Sequence, residues 1–327
     1  MIITRTPLRV SYVGGGTDFR DYFKIKGGAV VSTTINKYVY VTVNPKFDGR
    51  IHFRYSKVES VDNADELNHM IGREALRMED IEKGIEIVVI SDVPAHGTGL
   101  GTSSSLSVGL LKALRKYKGQ DISKEEQAEK AATLEIDILK SPIGIQDQYA
   151  SSFGGFNLIY FSDVGDVCVR NLNQAYSKKI AWLNEVTMLF YLKDISEDKD
   201  RHFEHGINID ERILSLDRQK KLVNDFITWM CREWKENDAE IVGQFVTNSW
   251  KYKKQVNPQA TTDYIDSVIE SALRLGATGA KLCGAGGKGF LMVICDKEKQ
   301  QHLTRFIGAS EMKFNFETEG AKIIYED

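Results

Sequence analysis

The chain has 327 residues, enough for two domains of ordinary size. Apolar residues make up 42% and charged residues 27%, which excludes a disordered, collagenous or fibrous protein. Lys and Arg number 43 against 46 Asp and Glu, a net charge of −3, so no basic field exists to hold a polyanion and no nucleic-acid partner is expected.

The N-terminal MIITRTPLRV has neither the apolar stretch nor the cleavage site of a signal peptide. No apolar run reaches the roughly 18 residues of a membrane span. A cytoplasmic chain with no membrane partner is expected. Four cysteines (Cys168, Cys231, Cys283 and Cys295) are far apart and lack zinc-site spacing, so they read as free thiols in or near the cores.

In chain order, KYVYVTV (37–43), the turn Asp48-Gly49 and residues 51–55 predict a β-hairpin. A helix-favouring stretch covers 62–82, and IEIVVIS (85–91) is a short strand. A Gly/Ser/Thr segment then opens a helix to about Lys118, and a further helix over 123–140 stops at Ser141-Pro142. The second half begins with the strand VTMLFYL (186–192) and a charged loop from Asp194 to His205. Amphipathic helical patterns cover 208–236, 238–255 and 262–275, the strands AKLC and GFLMVIC flank a glycine loop, and a last helix and one or two strands close the chain. This order predicts an α+β protein of two tightly joined domains, 1–180 and 181–327.

Four segments carry chemistry. In PAHGTGLGTSSSLSVGLL (94–111) a strand leads through Gly97, Thr98, Gly99, Leu100 and Gly101 into Thr102, Ser103 and Ser104 at the start of an apolar helix. Glycines admit a ligand close to the backbone, and a helix start offers unpaired N–H groups and a positive dipole end, so the segment reads as a phosphate-binding loop. The competing reading is a flexible loop with one Ser or Thr capping the helix. A Walker A loop is excluded, since no lysine precedes the hydroxyls. In PLRVSYVGGGTDF (7–19), Arg9 and Asp18 bracket the open backbone of Gly14, Gly15, Gly16 and Thr17, which suits a polyhydroxylated anionic ligand or, equally, an ordinary turn.

On the helix over 123–140, Ala128, Ala131, Ala132, Ile138 and Leu139 share a face with Glu135 at its centre. A carboxylate there needs a cation or donors. A metal ligand and a buried salt bridge both answer. GIQDQYASSFGGF (144–156) puts Asp147 where it serves as a base facing a ligand or as a helix cap. LCGAGGKGFLMVI (282–294) holds more glycines, Gly284 and Gly286 among them, than a β-turn needs.

These four segments, in this order, resemble the GHMP kinase superfamily of galactokinase, homoserine kinase, mevalonate kinase and phosphomevalonate kinase. The resemblance implies an N-terminal half like domain 2 of ribosomal protein S5 and a ferredoxin-like C-terminal half. It places the ATP loop at Pro94 to Ser103, with Ser104 as a further cofactor-binding residue, the Mg²⁺ ligands at Ser103 and Glu135, and the catalytic aspartate at Asp147. Arg9 would neutralise developing charge, and residues 14–18, with Gly284 and Gly286, would bind the substrate. Gly15 and Gly16 stand where galactokinases have Glu-His, and Lys288 stands where a glycine is expected. TPLRVSYVGGGTDF, INKYVYVTV and GIQDQYASSFGGFN look most like the branch acting on D-glycero-D-manno-heptose 7-phosphate, which phosphorylates the anomeric hydroxyl on the way to nucleotide-activated heptose for surface polysaccharide. Residues 191–206 do not match that branch. The same residues would serve another sugar 1-kinase, for fucose or a hexose; a non-catalytic sugar sensor and an ATP-using decarboxylase are the remaining alternatives.

Overall fold

The computed structural model describes residues 1–95, 97–192 and 209–327, and the expected charged loop from Asp194 to His205 lies outside them. The first half runs β1 (Ile2–Val13), α1 (Arg20–Lys26), β2 (Gly28–Pro45), β3 (Ile51–Arg54), β4 (Val58–Val61), α2 (Met70–Met78), β5 (Ile85–Ser91), α3 (Thr102–Tyr117), α4 (Lys124–Ala132), α5 (Gln146–Phe153), β6 (Phe156–Phe161), β7 (Val167–Asn171) and α6 (Ser177–Val186). The second half adds β8 (Thr187–Leu192), α7 (Ile209–Cys231), α8 (Asp238–Val256), α9 (Asp263–Arg274), β9 (Gly279–Leu282), β10 (Gly289–Ile294), α10 (Lys297–Phe306), β11 (Ser310–Glu311), β12 (Phe316–Glu317) and β13 (Lys322–Glu326).

Strands β1 and β2 are the spine of a nine-stranded sheet. Their inward residues Leu8, Val10, Ile35, Val39 and Val41 are no more than 1% exposed and pack under α3. The expected hairpin of 37–43 with 51–55 does not form. Strand β5 lies between them, antiparallel to β2 and parallel to β3, because a buried apolar strand takes the central place that a turn-linked neighbour would have had. The helix-favouring stretch 62–82 yields only α2 and a single 3₁₀ turn at Ala64–Glu66.

The second half builds a four-stranded antiparallel sheet in the order β11, β8, β10, β9. Its apolar face (Phe190, Leu282, Leu291 and Val293) packs against α9 through Ile265, Val268 and Ile269. The chain's end differs from the expected 181–327 unit: β12 pairs with β2 and β13 with β1, so the last residues complete the first sheet. All four cysteines are free, as expected; Cys283 and Cys295 are buried, whereas Cys168 and Cys231 are exposed, against the expectation of thiols in or near the cores. Among the described residues, no helix is long and apolar enough to cross a membrane.

Candidate active site

Gly97, Gly99 and Gly101 have φ of 69°, 73° and 78°, the left-handed region that glycine enters at little cost. Gly101 is the N-cap of α3, and no side chain caps that helix among the described residues. The loop is therefore not one stopped by a Ser or Thr hydroxyl. Its first-turn N–H groups are left for an anion, at the positive end of a 16-residue helix. Three of the expected cofactor-binding residues turn inward. Thr98, Leu100 and Ser104 are buried. The Thr98 hydroxyl pairs with that of Thr102 at 2.9 Å, the Leu100 carbonyl accepts from the Arg9 N–H at 3.0 Å, and the Ser104 hydroxyl accepts from Gln148 at 3.1 Å. Gly97, Gly99, Gly101, Thr102 and Ser103 form the accessible edge.

Beside this loop, Arg9 of β1 and Asp147 in the first turn of α5 form a two-pronged ion pair: Nε donates to Oδ1 at 2.7 Å and Nη2 to Oδ2 at 2.6 Å. Arg9 Nη1 donates to the Gly99 carbonyl at 2.7 Å, tying the pair to the loop. Gly101 is needed here as well, since a Cβ on it would sit 3.2 Å from Asp147 Oδ2 and 3.4 Å from Arg9 Cγ. Each Asp147 oxygen has a lone pair left over for a further donor.

Asp18, 1% exposed, accepts from the Gly16 N–H at 2.9 Å and from Gln146 Nε2 at 3.0 Å. Burial, and then the nearby Asp147 charge, raise its pKa above the ordinary carboxyl range. Gln146 also accepts from the Ser11 hydroxyl at 2.6 Å. Of the neighbouring expected residues, Gly15 and Gly16 border the same cavity as Asp18. Gly14 and Thr17 do not: the Thr17 hydroxyl holds the Gly14 and Ala29 carbonyls at 2.8 and 2.9 Å, and a side chain at Gly14 would collide with the Ala29 carbonyl. Those two shape the turn.

Glu135 lies on a π-helical turn, Thr133–Ile138, that continues α4. The expected apolar face holds for Ala128, Ala131 and Ala132 but not for Ile138, which is 41% exposed; the wider turn rotates Ile138 out and brings Leu134 and Glu135 inward. Glu135 is 1% exposed, and its carboxylate accepts from the Ser103 hydroxyl and from Gln148 Nε2 at 2.6 Å. Burial pushes its pKa up. Gln148 Oε1 is buried with no donor among the described residues. No cluster of three or more His, Cys, Asp or Glu exists among the described residues. Ser103 and Glu135 still fit Mg²⁺, a hard cation that takes one or two protein oxygens and completes its shell with phosphates and water.

The C-terminal glycine loop packs straight onto the first. A Cβ on Gly99 would lie 2.5 Å from the Cys283 carbonyl, a side chain on Gly284 would strike Gly99, and the Phe290 N–H donates to the Thr98 carbonyl at 3.0 Å. Gly284 reaches the cavity; Gly286 does not, being pressed against Ala260, whose carbonyl accepts from Gly287 at 2.7 Å. The Lys288 stem packs on Gly97.

Between the halves lies a cavity of about 160 Å³. Arg9, Asp18 and Asp147 line it from the first half; Arg212, Lys253 and Lys281 line it from the second. Sequence reasoning passed over these last three and Gln146. Lys253 sits in the run Lys251-Tyr252-Lys253-Lys254, which reads as a solvated helix face.

A glycine loop ending in an uncapped helix, set beside a cavity with a carboxylate at the junction, can hold a phosphate-bearing ligand next to a bound small molecule, as a small-molecule kinase requires. The GHMP kinases N terminal domain matches residues 66–155 and the GHMP kinases C terminal domain matches 231–312. The D-glycero-alpha-D-manno-heptose 7-phosphate kinase of Campylobacter jejuni is 30% identical, over 98% of this chain and 98% of the relative. A galactokinase of Pyrococcus furiosus is 25% identical over 91% and 90%. The solved D-glycero-D-manno-heptose 1-phosphate kinase of Bacteroides thetaiotaomicron shares the fold, with a TM-score of 0.80 at 24% identity over 100% of both chains. The chain belongs to the GHMP kinases, and it is an ATP-dependent sugar kinase.

Proposed function

We propose that the chain phosphorylates the anomeric C1 hydroxyl of D-glycero-D-manno-heptose 7-phosphate, with MgATP as donor, to give the 1,7-bisphosphate. One observation carries the chemistry: the Arg9–Asp147 pair stands where the glycine loop meets the cavity, tied to Gly99 on one side and open to the cavity on the other. The choice of sugar is supported by the 30% identity with the heptose 7-phosphate kinase, which spans nearly all of both chains.

In this reading the 97–104 backbone and the α3 N-terminus hold the phosphates. Ser103 and Glu135 would hold Mg²⁺, which when bound neutralises phosphate charge. Asp147 receives the hydrogen of the acceptor hydroxyl and aligns its oxygen for attack. Arg9 keeps a fixed positive charge beside the group in transfer, and Asp18 with Gln146 holds sugar hydroxyls. Phosphoryl transfer passes through a loose transition state, so positioning and preorganised charge supply most of the acceleration.

The test is a panel of heptose 7-phosphate, heptose, fucose and galactose, each with ATP and Mg²⁺, followed by ADP release and mass spectrometry of the product. Heptose 7-phosphate should give the bisphosphate with the highest kcat/KM. ADP release with another sugar and none with heptose 7-phosphate would reassign the substrate.

A further inference from the structure

The cavity's two walls differ in how their charges are matched. On the first-half wall Asp147 is held by Arg9, and Asp18 by Gly16 and Gln146. On the second-half wall, Lys253 of α8 donates to the Gly284 carbonyl, and Lys281 of β9 to the Tyr12 carbonyl at 2.9 Å and, weakly, to the Ser249 hydroxyl at 3.5 Å. All of these acceptors are neutral. Among the described residues neither ammonium has a carboxylate partner, and neither does Arg212, which borders the cavity from an exposed position on α7. Lys281 is 8% exposed.

An ammonium held out of water by neutral acceptors alone is unfavourable, and the cost is visible: burial, then the neighbouring Lys281 charge, pull the pKa of the half-buried Lys253 down to about 7, the Asp18 carboxylate offsetting only part of it, and burial pulls that of Lys281 to about 8. A ligand bearing the missing negative charge would remove that penalty. ATP already has an anion site at the uncapped start of α3, and no residue of the 97–104 loop lines this cavity. The cavity instead combines the lysines with Asp18 and Gln146, groups suited to hydroxyls.

We propose that Lys253, Lys281 and Arg212 form a subsite for a phosphate monoester carried by the acceptor sugar, on the wall that the second half contributes. This rests on the sugar-kinase reading above and adds the residues that would select a phosphorylated acceptor.

The experiment compares kcat/KM for heptose 7-phosphate and for unphosphorylated heptose in the wild-type chain and in Lys253→Met, Lys281→Met and Arg212→Ala. The wild type should prefer the phosphorylated sugar. Each lysine variant should cut that preference by roughly 10-fold to 100-fold, through KM for heptose 7-phosphate, as expected for loss of a charge-assisted contact. The exposed Arg212→Ala variant, which carries no risk to folding, should cut it by roughly 3-fold. An unchanged preference in all three variants overturns the proposal, as does a rise in KM for ATP with the sugar preference intact, which would place the lysines on the donor side. If the wild type turns over neither sugar, the acceptor reading falls by itself. Calorimetric titration with heptose 7-phosphate then judges the subsite: binding lost in Lys253→Met supports it, and equal or absent binding in wild type and variant overturns it.

Discussion

The two walls of the cavity solve the problem of buried charge in different ways. On the first-half wall, each carboxylate meets an opposite charge or N–H donors within the protein: Arg9 with Asp147, Gly16 and Gln146 with Asp18. Such partners hold these groups in place before a ligand arrives, which is the condition for electrostatic preorganisation. On the second-half wall, Lys253 and Lys281 donate, among the described residues, to neutral acceptors alone. One wall is built to act on a ligand, and the other is completed by one.

The sharpest way to break the first wall is Asp147→Ala. It should lower kcat by about 10²–10⁴, the range of general-base help, while calorimetry shows ATP still bound. Turnover close to wild type would remove Asp147 from the chemistry. Gly99→Ala acts on the joint between the two halves. Its φ of +73° and the 2.5 Å approach of a new Cβ to the Cys283 carbonyl should cost about 2 kcal/mol, read as a lower urea midpoint. A midpoint equal to wild type would mean that the two glycine loops do not depend on each other. Glu135→Gln keeps the shape and removes the charge. Binding of Mg²⁺ with ADP should weaken by roughly tenfold or more in calorimetry, the loss typical of groups that only support a metal ligand. Unchanged Mg²⁺ dependence would make Glu135 a purely structural carboxylate.

The difference between the walls also explains what could be read from sequence. Arg9, Asp147 and the loop at 97–104 lie in short motifs whose glycines and spacing have a local meaning, so their segments stood out. Glu135 was visible as a carboxylate on an alanine face, though nothing local announced the π turn that exposes Ile138 and buries Leu134. Lys253 and Lys281 left no such mark. One sits in an amphipathic helix and the other between Ala280 and Leu282 in a short strand, and only packing against β1 and the 284 loop makes them wall residues. Pairing over long sequence separations was hidden for the same reason. The pairings of β2 with β5 and of β1 with β13 join segments far apart in the chain, whereas the hairpin expectation used only the turn at Asp48-Gly49.

The smallest expected effect tests the second wall without any substrate. The Lys253 ammonium titrates near pH 7 in the folded chain against its ordinary 10.5, so between those values the unfolded chain binds a proton that the folded chain has released. Its contribution to stability is therefore fully present above pH 10.5, and is lost as pH falls through 7. Lys281 adds a similar term only above about pH 8, which leaves pH 7 to 8 as the window in which, of the two, Lys253 dominates. The buried carboxyls Asp18 and Glu135 run the other way: with raised pKa values they stabilise below their ordinary range, and that contribution is lost as pH rises through the folded values. Comparing wild type with Lys253→Met cancels every group that the substitution leaves unperturbed. The wild-type urea stability should rise more steeply from pH 7 to 8, by at most about 1.4 kcal/mol per unit for one group, and the variant should lack that increment. Parallel slopes would mean that Lys253 keeps its proton in the folded chain, and the contrast between a matched and an unmatched wall would not hold there.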